Sequence, residues 1–214
     1  MISTRSWRVA RRYALPPLVT GGVLAAVRSR VALVPLGCAA GVLLFFRDPE
    51  RSVLPDPALV YAPADGVVTD VARGSADWVP IRDAVTISTF LSLHNVHVTR
   101  SPTAGGVASR DELDGRLSPA LSPASSAHNR QTRFAIDGPR GRVGVVLVAG
   151  ALARRITAWV DVGEQVRAGT RLGLIHFGSR VDVILPADRY EPLVRRGTRV
   201  RAGQTPVART RVQA

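Results

Sequence analysis

The chain has 214 residues, a formal net charge of +13 and a single cysteine, Cys38. All 29 basic residues are arginine. Without lysine, pyridoxal phosphate held as a Schiff base and side-chain carriage of biotin or lipoate are excluded, and one cysteine excludes an intrachain disulfide framework and a cysteine-rich zinc site. No metal site is predicted.

Residues 1–46 read as a basic, apolar helical segment that associates with membranes. Two apolar runs, YALPPLVTGGVLAAV (13–27) and VALVPLGCAAGVLLFF (31–46), are separated by Arg28 and Arg30. Each is shorter than the roughly 20 residues a full span needs. A spanning hairpin would also carry those arginines to the far side, against the positive-inside tendency. A shallow hairpin at the membrane surface is predicted at least as readily as two spans. Arg5, Arg8, Arg11, Arg12, Arg28 and Arg30 all precede Asp48, the first acidic residue. Positive charge crowded beside apolar sequence favours an anionic membrane over nucleic acid as the partner. No small-x-small cleavage signal precedes FFRDPER (45–51), which weighs against a secretory signal.

Residues 47–214 are predicted to form a mainly β domain. LVYAPADGVVTDVA (59–72), DAVTISTFLSLHNVHVTR (83–100), QTRFAI (131–136) and RVGVVLVAGALARRITAWVDV (142–162) are short runs rich in Val, Ile and Thr with Gly and Pro between them. Residues 101–129, poor in large apolar side chains, are predicted as a long mobile loop. GEQVRAGTRLG (163–173) returns as GTRVRAGQTPV (197–207), sharing G-x-x-V-R-A-G. Paired glycines in such strand–turn–strand units suit a small β-barrel or sandwich-hybrid with the texture of biotinyl and lipoyl domains. The missing lysine makes this echo evidence about fold alone.

Few residues can carry chemistry. His94 and His97 lie in FLSLHNVHVTRSP (90–102), and a spacing of three puts them on opposite faces of a strand. They share a face if the strand ends or bulges near Asn95. Asp65 in YAPADGVV (61–68) is either a common Asp-Gly turn former or a functional carboxylate. Arg154 and Arg155 in GALARRI (150–156) are either solvated charges or fork-shaped donors to a phosphate. Ser179 in LGLIHFGSRVDVILP (172–186) lacks the G-x-S-x-G elbow of hydrolases. Together with Gly178 it reads as a weak spot in a strand or as a self-cleavage site.

Taken together, FFRDPER, YAPADGVV, FLSLHNVHVTRSP, GALARRI and GLIHFGSRVDVILP resemble, in order and spacing, the phosphatidylserine decarboxylase proenzymes of the short bacterial and archaeal type, over about residues 40–210. The resemblance implies autocatalytic cleavage between Gly178 and Ser179. Ser179 Oγ attacks the Gly178 carbonyl, elimination at Ser179 releases residues 1–178 as a β chain, and Ser179 becomes a pyruvoyl cofactor heading the α chain, 179–214. The resemblance assigns Asp65, His97 and Ser179 to processing, with His97 as base and Asp65 orienting it, and assigns His94 to decarboxylation. The pyruvoyl ketone would condense with the serine amine of the lipid and accept the electrons left by departing CO2, as pyridoxal phosphate does elsewhere. The product would be phosphatidylethanolamine, a step of phospholipid biosynthesis. Arg154 or Arg155 is the candidate contact to the phosphodiester.

The implied partners are an anionic phospholipid, the membrane surface and the two cleaved chains as a heterodimer, with a higher oligomer left open and no nucleic acid. The implied location is the cytoplasmic face of the cell membrane. One departure stands out. Relatives carry a Ser-Glu-His-Asn-Glu-Arg-like stretch where this chain has SAHNRQTR (126–133). His128 and Asn129 match, whereas Ala127 and Arg130 replace the two glutamates. The competing readings are a non-enzymatic basic membrane-binding β-domain that keeps the fold, and a nucleic-acid-binding barrel. The aromatic content of 5% counts against the barrel, because base stacking needs aromatic platforms.

Overall fold

A computed structural model describes residues 2–54, 56–115, 128–150, 155–177 and 179–211. The candidate residues Gly178 and Arg154, and Ala127 in the departing stretch, lie outside the described residues. The chain divides into two compact units, residues 1–50 and 51–214.

The first unit is a pair of helices, α1 (Thr4–Ala26) and α2 (Leu33–Phe45), joined through a 3-10 turn at Arg30–Ala32. Ser3 caps α1, accepting a hydrogen bond from the Ser6 amide at 3.2 Å. Tyr13 stacks on Phe46 with ring centroids 5.6 Å apart, and Gly21 has no side chain to obstruct Leu36 of the facing helix. Val19, Val23, Leu33 and Leu44 are exposed. No helix among the described residues is long and apolar enough to cross a membrane.

The second unit is mainly β, as predicted. Its described strands are β1 (Leu59–Tyr61), β2 (Gly66–Ala76), β3 (Ile81–Leu91), β4 (Val98–Arg100), β5 (Gly105–Leu113), β6 (Gln131–Gly138), β7 (Gly141–Ala149), β8 (Ile156–Ala158), β9 (Gln165–Val166), β10 (Arg171–Ile175), β11 (Ser179–Pro186), β12 (Tyr190–Pro192), β13 (Arg199–Val200) and β14 (Pro206–Thr210). A curled eight-stranded sheet runs in the order β13-β2-β3-β11-β7-β6-β5-β9. Two three-stranded sheets, β1-β14-β12 and β4-β10-β8, accompany it. Strand alternation builds the core. Val181, Val183 and Leu185 of β11 join apolar clusters with Leu91, Leu147, Ile87 and Val143. Arg180 and Asp182 point to the opposite face.

The predicted loop at 101–129 is in part a strand. β5 occupies Gly105–Leu113, with Val107 as its one fully buried side chain. Backbone pairing to β6 and β9 holds it, so apolar periodicity could not reveal it.

The repeated G-x-x-V-R-A-G motif is the visible part of a larger duplication. β13 pairs with β2 through Val200 and Gly66, and β9 pairs with β5 through Val166 and Gly105. The Gly203 amide donates to the Ala62 carbonyl, and the Gly169 amide to the Ser101 carbonyl, each at 2.8 Å. Tyr61 N–H bonds Pro102 O at 2.9 Å, and Arg100 N–H bonds Pro63 O at 2.8 Å. One copy is the continuous stretch β4–β10. The other is β1–β3 plus β11–β14, interrupted by the first. In this correspondence Ser179-Arg180-Val181 matches Gly141-Arg142-Val143. A tight turn joins β6 to β7 in the continuous copy, whereas in the interrupted copy Leu91 and Ser179 face each other across the ladder but are joined only through the whole inserted copy.

Gly66 lies against β3 so closely that a Cβ would fall onto the Phe90 carbonyl. Gly66→Ala is expected to destabilise the β unit by about 1–3 kcal/mol, the usual cost of overpacking, read as a lowered urea midpoint with an unchanged slope.

Candidate active site

The apolar run around Ser179 is not one interrupted strand. β10 ends at Ile175 in a three-stranded sheet and β11 starts at Ser179 in the eight-stranded sheet, so residues 176–178 carry the chain from one sheet to the other. Phe177 takes a left-handed backbone, φ +58°. For an L-residue with a Cβ this costs about 1–2 kcal/mol, and such strain gathers where surrounding structure enforces it.

β11 is a central strand, and its first residue is paired on both sides: Ser179 opposes Leu91 of β3 and Ala149 of β7. The Ser179 side chain is fully buried on the core side, and its Oγ has no hydrogen-bond partner among the described residues. A buried hydroxyl without a partner carries a desolvation cost.

Both candidate histidines follow β3. That strand ends at Leu91, beside Ser179, and a turn follows in which Asn95 N–H bonds Ser92 O at 2.9 Å and Asn95 Oδ1 accepts from the Ser92 amide at 2.9 Å. The strand therefore stops before His94, and the opposite-face argument for the two imidazoles does not apply. His94 is exposed and His97 is fully buried. His97 Nδ1 lies 3.0 Å from the Asn95 carbonyl, and the His97 carbonyl accepts from Ile175 N–H at 3.2 Å. This ties His97 to the strand that leads into the crossover.

Asp65 sits in the turn before β2. Gly66 and Val67 lie against the end of β3, whose Leu91 opposes Ser179. Two strand spacings, roughly 10 Å, thus separate the backbone at Asp65 from that at Ser179. The family resemblance has Asp65 orienting His97; in the structure His97 Nδ1 lies 3.0 Å from the Asn95 carbonyl, and the Asp65 carboxylate takes Arg51 at both oxygens and the Ala202 amide at 2.8 Å. Sequence reasoning quoted Arg51 within FFRDPER without giving it a role. The signal was there: an arginine and an aspartate in two separate motifs can form a two-pronged pair.

Two further residues are given a structural place that their motifs did not indicate. His176 is buried, with Nε2 3.0 Å from Thr157 Oγ1 and its amide bonded to Arg155 O at 3.0 Å. The candidate Arg155 is thus tied by its backbone to the crossover, with its side chain exposed. Asn129 is buried and donates from Nδ2 to the Ala149 carbonyl at 2.8 Å, bracing the strand that flanks Ser179. Asn129 also lines a cleft of about 410 Å³ with Leu113, Asp114, Gly115, His128, Gln131 and Arg133. Burial lowers the Arg133 pKa from the ordinary guanidinium value, and Asp111 opposes that shift. Arg130, at one replaced glutamate position, pairs with Asp114 at 2.7 Å on the surface. No group of three or more His, Cys, Asp or Glu among the described residues is placed to hold a metal.

These features define a β-rich domain with one buried serine at the head of a central strand and histidines on the turn beside it. The phosphatidylserine decarboxylase family model matches residues 39–208. The chain is 44% identical over 200 residues to a Halobacterium salinarum protein named "Putative archaetidylserine decarboxylase proenzyme", covering 92% of this chain and 95% of that one. It is 42% identical over 194 residues to the phosphatidylserine decarboxylase proenzyme of Symbiobacterium thermophilum, covering 90% of each. It is 40% identical over 183 residues to that of Chlorobium phaeovibrioides, covering 83% of each. The chain belongs to the phosphatidylserine decarboxylase family.

Two stability measurements check the local account. Ser179→Ala is expected to leave the uncleaved chain as stable as the starting protein or up to about 1 kcal/mol more stable, since it removes a buried hydroxyl that has no hydrogen-bond partner among the described residues. In that background, Phe177→Gly is expected to exceed Phe177→Ala by about 1 kcal/mol in unfolding free energy, because both lack the ring and only glycine accepts φ +58° without strain.

Proposed function

We propose that the chain is a self-processing, pyruvoyl-dependent phosphatidylserine decarboxylase that makes phosphatidylethanolamine for phospholipid biosynthesis. The observation that carries this reading is the buried Ser179 hydroxyl, without a hydrogen-bond partner among the described residues, at the head of the strand beside the turn that bears His94 and His97.

Processing begins when His97 takes the Ser179 proton and Oγ attacks the Gly178 carbonyl, converting the amide to an ester. Loss of the Ser179 Cα proton then expels the Gly178 carboxylate. Water replaces the nitrogen of the remaining dehydroalanine, releasing ammonia and leaving a keto group on the Arg180 amide. Asp65, assigned to processing by the family resemblance, acts from the far side of β3. The surroundings of Ser179 suit this conversion. Its hydroxyl makes no bond among the described residues that would be lost, and the two-sided pairing of β11 keeps the new chain end in register after the cut.

A pyruvoyl group at residue 179 would supply a ketone able to bind the substrate amine and accept the electron pair freed as CO2 leaves. His94, exposed on its turn, protonates the α-carbon after decarboxylation. Arg155, exposed and tied by its carbonyl to His176, contacts the phosphodiester, with Arg154 beside it in sequence. Exposed arginines and apolar side chains on α1 and α2 support docking of the helical unit on an anionic membrane surface, on the cytoplasmic face. The cleaved α and β chains then work as a heterodimer.

Intact mass is the decisive measurement. The freshly made protein should resolve into chains ending at Gly178 and starting at residue 179, the smaller without a free amine. A protein that remains a single chain would favour the non-enzymatic membrane-binding reading. Ser179→Ala should stay whole, His97→Ala should fail to cleave, and His94→Ala should cleave but release no CO2 from phosphatidylserine vesicles; exchanged phenotypes for the two histidines would exchange their roles. Archaetidylserine vesicles run in parallel test the substrate in the name of the Halobacterium relative.

A further inference from the structure

We propose that Arg51 is a positioning residue for self-processing, acting through Asp65; this rests on the reading that Asp65 belongs to the processing group. Arg51 grips both oxygens of the Asp65 carboxylate, Nη1 to Oδ1 at 2.5 Å and Nη2 to Oδ2 at 2.7 Å. Nη1 also donates to the Ala202 carbonyl at 2.9 Å, and the Ala202 amide donates to Asp65 Oδ1 at 2.8 Å. A closed ring of bonds therefore links residues 51, 65 and 202. The Arg51 side chain is 7% exposed and that of Asp65 13%, so the pair escapes the solvent screening that makes surface pairs weak. The two-pronged geometry fixes the rotation of the carboxylate as well as its place, which a lysine could not do.

The segment that carries Arg51 is itself anchored. Val53 packs against Gly169 and Gly203, the turn glycines of the two repeated motifs. The Leu54 carbonyl accepts from the Tyr61 hydroxyl at 2.6 Å. Arg51 thus approaches Asp65 from a fixed backbone, not from a mobile tail.

The internal duplication supplies a control within the molecule. In the turn of the continuous copy that corresponds to Asp65-Gly66, Ala104 precedes Gly105, and Ala168-Gly169 stands for Ala202-Gly203. That turn makes the same backbone bond, Gly169 N–H to Ser101 O, at the same 2.8 Å. The architecture therefore builds this turn without a carboxylate, with Arg100 Nη1 donating to the Gly169 carbonyl at 3.0 Å. The ion pair has been added on the copy that carries Ser179. It also joins the two expected products, since Arg51 and Asp65 precede the proposed cut and Ala202 follows it.

The experiment uses the full chain as Arg51→Lys and Arg51→Ala, with cleavage followed by intact mass. Both should remain folded by circular dichroism and cleave about ten- to a hundredfold more slowly, the effect of losing one charge-assisted hydrogen bond. Guanidinium chloride, far below its denaturing range, should restore much of the rate in Arg51→Ala by refilling the site against Asp65. Once cleaved, Arg51→Lys should release its α chain at a lower urea concentration than the starting protein. Cleavage at the starting rate in either folded variant overturns the proposal, and so does a slow Arg51→Ala that ignores guanidinium. If Arg51→Ala does not fold, the rate of Arg51→Lys decides alone. A starting protein that never cleaves between 178 and 179 refutes the processing reading instead, so the two failures are distinct.

Discussion

β11 is held from both sides, and the site depends on that pairing. Every residue from Ser179 to Ile184 stands in register opposite a residue of β3 on one edge and of β7 on the other, with backbone hydrogen bonds alternating between the two edges. On the face away from the core, Arg180 and Asp182 form a buried two-pronged pair at 2.8 and 2.7 Å. Buried pairs of this kind add little net stability but disfavour alternative registers, because a one-residue slip would strand both charges. The head of the strand is therefore fixed in register, with the chain changing sheets between Ile175 and Ser179. Strain at Phe177 can persist there because both ends of the crossover are tethered: Ile175 to His97, and Ser179 to its two neighbours.

The duplication explains why a cut at that point would do little harm to the fold. In the interrupted copy, β3 and β11 need no direct covalent link, since the ladder between Leu91 and Ser179 already holds them. Breaking the chain ahead of Ser179 would sever a connection between sheets and leave every described strand with its partners. The continuous copy keeps a tight turn at the corresponding place, with glycine opposite the serine and alanine opposite the aspartate. One copy serves as scaffold. The other carries the buried Ser179, a clamped carboxylate and the histidine turn on the same strand framework.

Reading the sequence identified much of this, and where it fell short the reasons are physical. Alternating Val, Ile and Leu exposed β2, β3, β6, β7 and β11, because their buried faces demand apolar residues at every second position. β5 stayed hidden because its place is secured by backbone bonds that leave no trace in side-chain polarity. The repeated G-x-x-V-R-A-G showed two similar turns, but not that one copy is inserted into the other, since strand pairing is not written along the chain. Asp65, His97 and Ser179 were picked out by motif, and the structure lines their segments up around the end of β3. The pairing of Asp65 with Arg51 was not legible, because spacing along the chain says nothing about which of many arginines will reach a given carboxylate.

The sequence by itself determined the class of domain, the chemistry open to it and the family. The absence of lysine, the lone cysteine and the ordered motifs constrain these independently of geometry. Only the tertiary structure decided that Ser179 heads a doubly paired strand with its hydroxyl buried, that β10 and β11 belong to different sheets, and that Arg51 and Ala202 meet at Asp65. Those outcomes depend on contacts between segments far apart along the chain, such as the bond from Arg51 to Ala202, and folding alone brings such segments together.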